Sequence, residues 1–135
     1  MEPSSATATV VAVIDDLIFE TKIRATARAV GVEVRTARDA ASLEQLLDQA
    51  ASPLVLVDLN LPNGGGPRAV ASAAAHATRP YLIAFVSHVQ ADLARAGLLA
   101  GAHQVLPRSR FAVELSQLLQ EHGPAPPDRA PEPAG

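Results

Sequence analysis

The fold is indicated most clearly by one segment, Leu54-Val55-Leu56-Val57-Asp58-Leu59-Asn60-Leu61-Pro62-Asn63-Gly64-Gly65-Gly66. Its first four residues are apolar without interruption, which is typical of a strand buried on both faces of a parallel sheet. Turn-forming Pro, Asn and Gly residues follow, so the strand is predicted to end at Asp58. Ligands of open α/β sheets bind outside the carboxyl ends of the strands, where Asp58 is predicted to lie. The Asp58 carboxylate therefore either caps this turn or binds a ligand.

The composition of the chain limits the possible functions. Its 135 residues fit a single domain, and the apolar content of 48% indicates a folded chain. A net charge of −3 argues against a surface for nucleic acid or anionic membranes. The lack of cysteine excludes disulfides, thiol catalysis and zinc sites with Cys ligands. No segment approaches the roughly 18–20 apolar residues that cross a bilayer, so we expect a soluble cytoplasmic protein.

Strands and helices are predicted to alternate along the chain. Besides the opening segment, residues 9–14, 32–35, 81–86 and 104–106 have the pattern of strands. Helices are predicted to begin near Leu17, after Asp39 or Ser42, at Pro67, at Gln90 and at Phe111, with Gly31 and Gly101 closing two of them. Five strand–helix units in alternation imply a parallel sheet with helices on both faces, because right-handed crossovers place them there.

The domain organisation follows from the ends of the chain. Residues 1–7 are predicted to be a flexible lead, and residues 8–122 to be the folded domain. Residues 123–135 are rich in Pro and Ala and cannot bury a core, so a disordered tail is expected there.

Polar residues are predicted to gather where the strands of this sheet end. That rim would hold Asp15, Asp16, Asp58, Ser87 and Arg108. Three ionised carboxylates repel one another in a poorly solvated cleft, and a hard cation such as Mg²⁺ relieves the repulsion. A hydroxyl and a cation opposite the metal would then stabilise an anion on Asp58. This set of groups suits phosphoryl transfer to a carboxylate.

The same residues resemble the receiver domain of bacterial two-component response regulators, of the chemotaxis-regulator type. The resemblance covers roughly residues 8–121. It rests on the acidic pair Asp15-Asp16 after the first strand, on Asp58 with Pro62 and Gly66 after it, on Ser87 ending the fourth strand, and on Ala100-Gly101-Ala102 before the fifth. Each match alone is weak, but together they occur in order and at compatible spacing.

The resemblance implies a doubly wound, flavodoxin-like sheet with strand order 2-1-3-4-5. It implies that Asp58 accepts a phosphoryl group from a histidine kinase or a phosphotransfer protein in a phosphorelay. Asp16, Asp58 and the Asn60 carbonyl would bind Mg²⁺ directly, and Asp15 would act through water. Ser87 would bond a phosphoryl oxygen. The only chemistry implied is self-phosphorylation and dephosphorylation, so we do not expect an enzyme in the usual sense.

Positions at the fifth strand depart from the family pattern. Arg108 stands where the family has a fifth-strand lysine, and Arg and Lys are not interchangeable. Val105 stands at the aromatic switch position, so the usual coupling between Ser or Thr and Tyr cannot operate as such. Two interpretations stay open: a working receiver with altered kinetics and output, or a receiver-like module that acts by protein contact without phosphate.

Partners are also implied by the resemblance. A downstream protein is expected to contact the face made by the fourth helix, fifth strand and fifth helix, and a homodimer is possible. No output domain is recognisable, so the chain is a stand-alone receiver or a fragment of a longer protein. A nucleotide-binding flavodoxin-like protein is the main alternative, but Asp15-Asp16-Leu17-Ile18 offers acid where a phosphate loop needs glycine.

Overall fold

The computed structural model describes residues 9–49, 51–87 and 90–124. Within them lie β1 Val10–Val13, β2 Val34–Ala37, β3 Leu54–Asp58, β4 Tyr81–Val86 and β5 Gln104–Pro107. All pairings are parallel, in the order β2-β1-β3-β4-β5, which confirms the predicted fold. The predicted lead, residues 1–7, lies outside the described residues, as does the predicted tail from residue 125 onward.

Five α-helices of the described residues connect and flank the strands. They are α1 Leu17–Ala29, α2 Ala40–Gln49, α3 Gly65–Ala75, α4 Ala91–Ala100 and α5 Arg108–His122, with a short 3₁₀ turn at Pro62–Gly64 before α3. Over the described ranges, no helix is long and apolar enough to cross a membrane.

The sheet separates two hydrophobic cores because successive side chains of a strand point to opposite faces. In β3, Leu54 and Leu56 belong to the core that contains Phe85 and Phe111, beneath α1 and α5. Val55 and Val57 belong to the other core, beneath α2 and α3. Every residue of β3 is buried, so the uninterrupted apolar run in the sequence reflects burial on both faces.

Three elements begin two or three residues away from their predicted first residues. β2 begins at Val34 rather than residue 32, because the Val32 amide donates to the Ala27 carbonyl (2.9 Å) and closes the end of α1. α3 begins at Gly65, ahead of Pro67. α5 begins at Arg108 rather than Phe111, directly after β5 ends at Pro107.

The helix-end signals act largely as the sequence predicts. Asp39 caps α2, since its Oδ1 accepts a hydrogen bond from the Ser42 amide at 2.8 Å. Gly31 has φ of 78°, the left-handed conformation that glycine adopts just after a helix.

Leu59, the residue after Asp58, is held between α3 and α4 by two glycines. A Cβ atom on Gly66 would lie 2.4 Å from the Leu59 Cα and 2.5 Å from its carbonyl oxygen. A Cβ on Gly97 would lie 2.8 Å from the Leu59 Cδ1. Position 66 therefore requires glycine, because α3 packs there directly on the backbone of Leu59, beside the Asp58 carboxylate.

Gly66→Ala should lower the free energy of unfolding by about 2–3 kcal/mol, because the new methyl group meets backbone atoms of Leu59. Gly97→Ala should cost less, since the end of the Leu59 side chain can shift and alanine favours the helix. Urea unfolding of the two variants measures the difference. Equal losses, or an unaffected Gly66→Ala protein, would contradict this packing.

Candidate functional site

Asp58 lies at the carboxyl end of the central strand β3, and its side chain is only 6% exposed. Its Oδ1 accepts a hydrogen bond from the Asn60 amide at 2.8 Å. Its Oδ2 faces the guanidinium group of Arg108. Burial raises the pKa of the Asp58 carboxyl above its ordinary value, although the Asn60 amide and Arg108 act in the opposite direction.

Asp16 holds the start of α1 beside Asp58. Its Oδ1 accepts hydrogen bonds from the amides of Ile18 (3.0 Å) and Phe19 (3.1 Å), as an N-cap residue does. The Phe19 amide, followed by the hydrogen bond from Arg108, lowers the pKa of the Asp16 carboxyl. The second oxygen, Oδ2, accepts from Arg108.

Arg108 bridges the two carboxylates from the first residue of α5. Its Nη1 donates to Asp16 Oδ2 at 2.9 Å, and its Nη2 donates to Asp58 Oδ2 at 3.4 Å. The side chain is 26% exposed. The guanidinium group therefore lies between the two carboxylates, whereas the sequence predicted a cation opposite a bound metal ion.

Three phenylalanines form an aromatic platform beneath this guanidinium group. The Arg108 Cζ lies 4.6 Å from the ring centroid of Phe19 and 5.7 Å from that of Phe85, within cation–π range. Phe111 stacks on Phe85 with centroids 4.5 Å apart.

The aromatic platform was not predicted, although the sequence carries a signal for it. Phe19 lies three residues after Asp16, and Phe111 lies three residues after Arg108. Spacing of three residues puts both members of a pair on one side of a helix. Phe85, whose place could be read only from the sheet register, is the β4 partner of Asp58.

The remaining predicted site residues lie around this centre. Asp15 is about half exposed and pairs with Arg38 Nη1 at 3.4 Å. The Asn60 side chain accepts a hydrogen bond from the Ser87 amide at 2.7 Å and donates to Gln90 Oε1 at 2.8 Å. Asn60 thus ties the end of β3 to the end of β4 and to the residue before α4. The contacts of Arg38 and Gln90 were not predicted.

The donor groups fit a hard divalent cation in chemical type. Carboxylate oxygens of Asp16 and Asp58, with the backbone carbonyl of Asn60, are the oxygen ligands that Mg²⁺ prefers. Across residues 9–49, 51–87 and 90–124, however, no three His, Cys, Asp or Glu side chains are grouped so that they could hold a metal ion. Asp15 turns to Arg38, and Arg108 contacts the free oxygens of the other two.

Comparison with known proteins decides the family of this fold and site. The family model for the response regulator receiver domain matches residues 10–120. The chain belongs to the response regulator receiver family. The resemblance read from the acidic pair, Asp58, Ser87 and the Ala-Gly-Ala segment is therefore confirmed. No curated protein sequence matches the chain.

Solved receiver domains share the fold. The receiver domain of the sensor histidine kinase PA1611 from Pseudomonas aeruginosa PAO1, solved with a magnesium ion in its active-site cleft, is 24% identical, with a TM-score of 0.73 over 87% of this chain and 97% of that one. A CheY-like receiver protein from Methanospirillum hungatei JF-1 is 19% identical (TM-score 0.72; 87% and 93% covered). The NtrX receiver domain from Brucella abortus is also 19% identical (TM-score 0.73; 84% and 96% covered).

Asp58→Asn should raise the free energy of unfolding at pH 7. The net shift of the Asp58 pKa is upward, so the ionised side chain destabilises the folded receiver relative to the unfolded chain. This destabilisation is absent below the ordinary pKa of 3.8, develops as the pH rises towards the folded-state pKa, and is constant above it. Asparagine keeps an oxygen acceptor for the Asn60 amide.

Urea unfolding between pH 3.5 and pH 7 measures this effect as the difference between the variant and the unmodified receiver. The advantage of Asp58→Asn should shrink as the pH falls. A variant that is less stable at pH 7 would show instead that the ion pair with Arg108 outweighs the burial of the charge.

Proposed function

We propose that this receiver domain accepts a phosphoryl group on Asp58 from a histidine kinase or a phosphotransfer protein, in a Mg²⁺-dependent phosphorelay. The observation that carries the proposal is the way the two oxygens of the Asp58 carboxylate are held. The Asn60 amide fixes one of its oxygens, and the other is directed into the cleft towards a cationic side chain. A carboxylate held in this way is oriented for nucleophilic attack.

In the proposed reaction, Asp58 Oδ2 attacks the phosphorus atom of a phosphohistidine. The new O–P bond forms as the P–N bond breaks, and the imidazole nitrogen of the donor leaves with the electron pair. Asp16, Asp58 and the Asn60 carbonyl are the groups that would hold Mg²⁺, which when bound supplies positive charge against the phosphoryl oxygens. Arg108 would provide a further positive charge near the phosphoryl oxygens.

Two other receivers support the metal requirement. The PA1611 receiver carries magnesium in its active-site cleft, and the response regulator Rcp1 has been solved in a Mn²⁺-bound form (15% identity, TM-score 0.70, covering 93% of this chain and 99% of that one). The oxygen ligands available here are of the type that both ions accept.

Ser87 is the proposed sensor of the phosphoryl group. Its amide is held by the Asn60 side chain, and Asn60 also contacts Gln90 just before α4. A bond between the Ser87 hydroxyl and a phosphoryl oxygen would therefore change a contact that reaches α4. Exposed apolar side chains of α4 and α5, Leu98, Leu99 and Val113, are then available to a downstream protein.

A second function is favoured by one specific observation. Arg108 already contacts both Asp16 and Asp58, and so balances part of their negative charge without any metal. A receiver of this kind could act through protein contact alone, with Arg108 as a fixed structural cation. The two functions differ in whether Asp58 responds to a phosphoryl analogue.

Amide NMR spectra recorded with Mg²⁺, before and after addition of beryllofluoride, test the proposal. Beryllofluoride mimics the acyl phosphate, so signals near Asp16, Asp58, Ser87 and Arg108 should shift, and Asp58→Asn should abolish the shifts. Ser87→Ala is the matched variant that tests whether the response at Asp58 is transmitted to Gln90 and α4. The Ser87 amide, not its hydroxyl, bonds Asn60, so the resting structure should be kept while shifts near Gln90 are reduced.

Absence of any beryllofluoride response in the unmodified receiver would exclude phosphoryl acceptance and favour the phosphate-independent function. A response that persists in Asp58→Asn would place the acceptor elsewhere.

A further inference from the structure

We infer that Arg108 is a tethered cation that competes with a divalent metal ion for Asp16 and Asp58. Arg108 and the ion therefore cannot bind these two carboxylates at the same time. The inference rests on the proposed function, because it describes how the metal step of that function is controlled. It goes further in assigning Arg108 two positions, one on the carboxylates and one released from them.

The hydrogen bonds of the two carboxylates make the competition direct. In each, one oxygen is taken by backbone amides: Asp16 Oδ1 by Ile18 and Phe19, and Asp58 Oδ1 by Asn60. In each, the Oδ2 oxygen is the one that contacts Arg108. A metal ion that used these Oδ2 oxygens would meet the guanidinium group, so Arg108 must leave before the ion binds.

The surroundings of Arg108 favour its place on the carboxylates. The guanidinium group lies over the Phe19 ring and beside Phe85, where it keeps both a cation–π contact and two charge-assisted hydrogen bonds. A lysine ammonium is a point charge and cannot present two N–H groups in one plane to two carboxylates.

One atom of the bridge is not satisfied. The Nε of Arg108 is buried and has no hydrogen-bond partner within the described part of the chain. A buried donor without a partner is unfavourable. This unmet donor lowers the stability of the bridged position relative to one in which the whole guanidinium group reaches water, so release of Arg108 by a metal ion is physically reasonable.

No other cation takes part in the bridge. Over the described ranges, the ion pairs of Asp16 and Asp58 are made by Arg108 alone, while Arg38 pairs with Asp15. Arg38 therefore offers a matched control: it contributes the same positive charge to the same rim but contacts neither carboxylate of the bridge. Replacing Arg38 frees only Asp15, which would act on the metal through water. A general effect of charge on metal affinity should therefore appear with either arginine, and competition for the oxygens that bind the metal directly only with Arg108.

The size of the effect follows from the population of the released state. When only a fraction of molecules is competent to bind, the apparent dissociation constant is the intrinsic one divided by that fraction. If Arg108 is on the carboxylates in at least about nine molecules of ten, its removal should tighten metal binding at least about tenfold.

Calorimetric titration of the metal-free receiver with Mn²⁺, and then with Mg²⁺, tests the inference without any phosphoryl donor. Arg108→Gln is compared with Arg38→Gln, and circular dichroism confirms that each variant is folded. Arg108→Met, which keeps an apolar contact with Phe19 and Phe85, serves if the glutamine variant is unstable. In the unmodified receiver, the Arg108 Nε–Hε NMR signal is followed during the same titration.

Competition predicts at least about tenfold tighter binding for Arg108→Gln or Arg108→Met, a clearly smaller change for Arg38→Gln, and a shift of the Arg108 signal that saturates with the metal. Equal effects of Arg108→Gln and Arg38→Gln would overturn the inference, and so would unchanged or weaker binding after Arg108 is replaced. These results would leave phosphoryl acceptance on Asp58 intact. Failure of every variant to bind metal would overturn both the competition and the Mg²⁺ dependence.

Discussion

The two-armed ion pair between Arg108, Asp16 and Asp58 joins three parts of the chain that are remote in sequence. Asp16 begins α1, Asp58 ends β3, and Arg108 begins α5. A cation at the start of a helix is unfavourable with respect to the helix dipole, and a carboxylate with 6% exposure is unfavourable when unpaired. The contact between them offsets both effects, and the arrangement of the site depends on it.

The same contact explains why Asp16 and Asp58 are not simply open to a metal ion. The backbone orients each carboxylate through one oxygen, which leaves the other free to bind a cation. In this receiver that cation is supplied by the chain itself, and the phenylalanine platform beneath it holds the guanidinium plane in place. In the proposed function, phosphoryl transfer to Asp58 would therefore require a change at Arg108 as well as the arrival of a phosphoryl donor.

Much of the fold could be predicted from the sequence because the physical signals were local. Uninterrupted apolar runs such as 54–57 mark strands buried on both faces, and the order of the strands came from the family resemblance. The rim residues could be placed for the same reason, since parallel strands end at one edge. The start of α5 was missed because a helix that begins with Arg108 lacks the usual capping residues and has its charge at the wrong end of the dipole.

The geometry within the site could not be predicted, because it depends on where long side chains reach rather than on where strands end. Sequence spacing places Arg108 and Asp15 at the same rim, yet Arg108 reaches inward across Phe19 while Asp15 turns outward to Arg38. The role of Phe85 depends on its pairing with Asp58 across the sheet, which only the register reveals.

Crystal structures of the receiver, grown without divalent ions and then with Mg²⁺, would test the central claim most directly. The account predicts that the metal-free crystal shows the Arg108 guanidinium bonded to Asp16 and Asp58, and that the Mg²⁺-bound crystal shows it withdrawn from both. Mg²⁺ bound to these carboxylates with Arg108 still bridging them, or a metal-free structure with Arg108 directed into solvent, would contradict it.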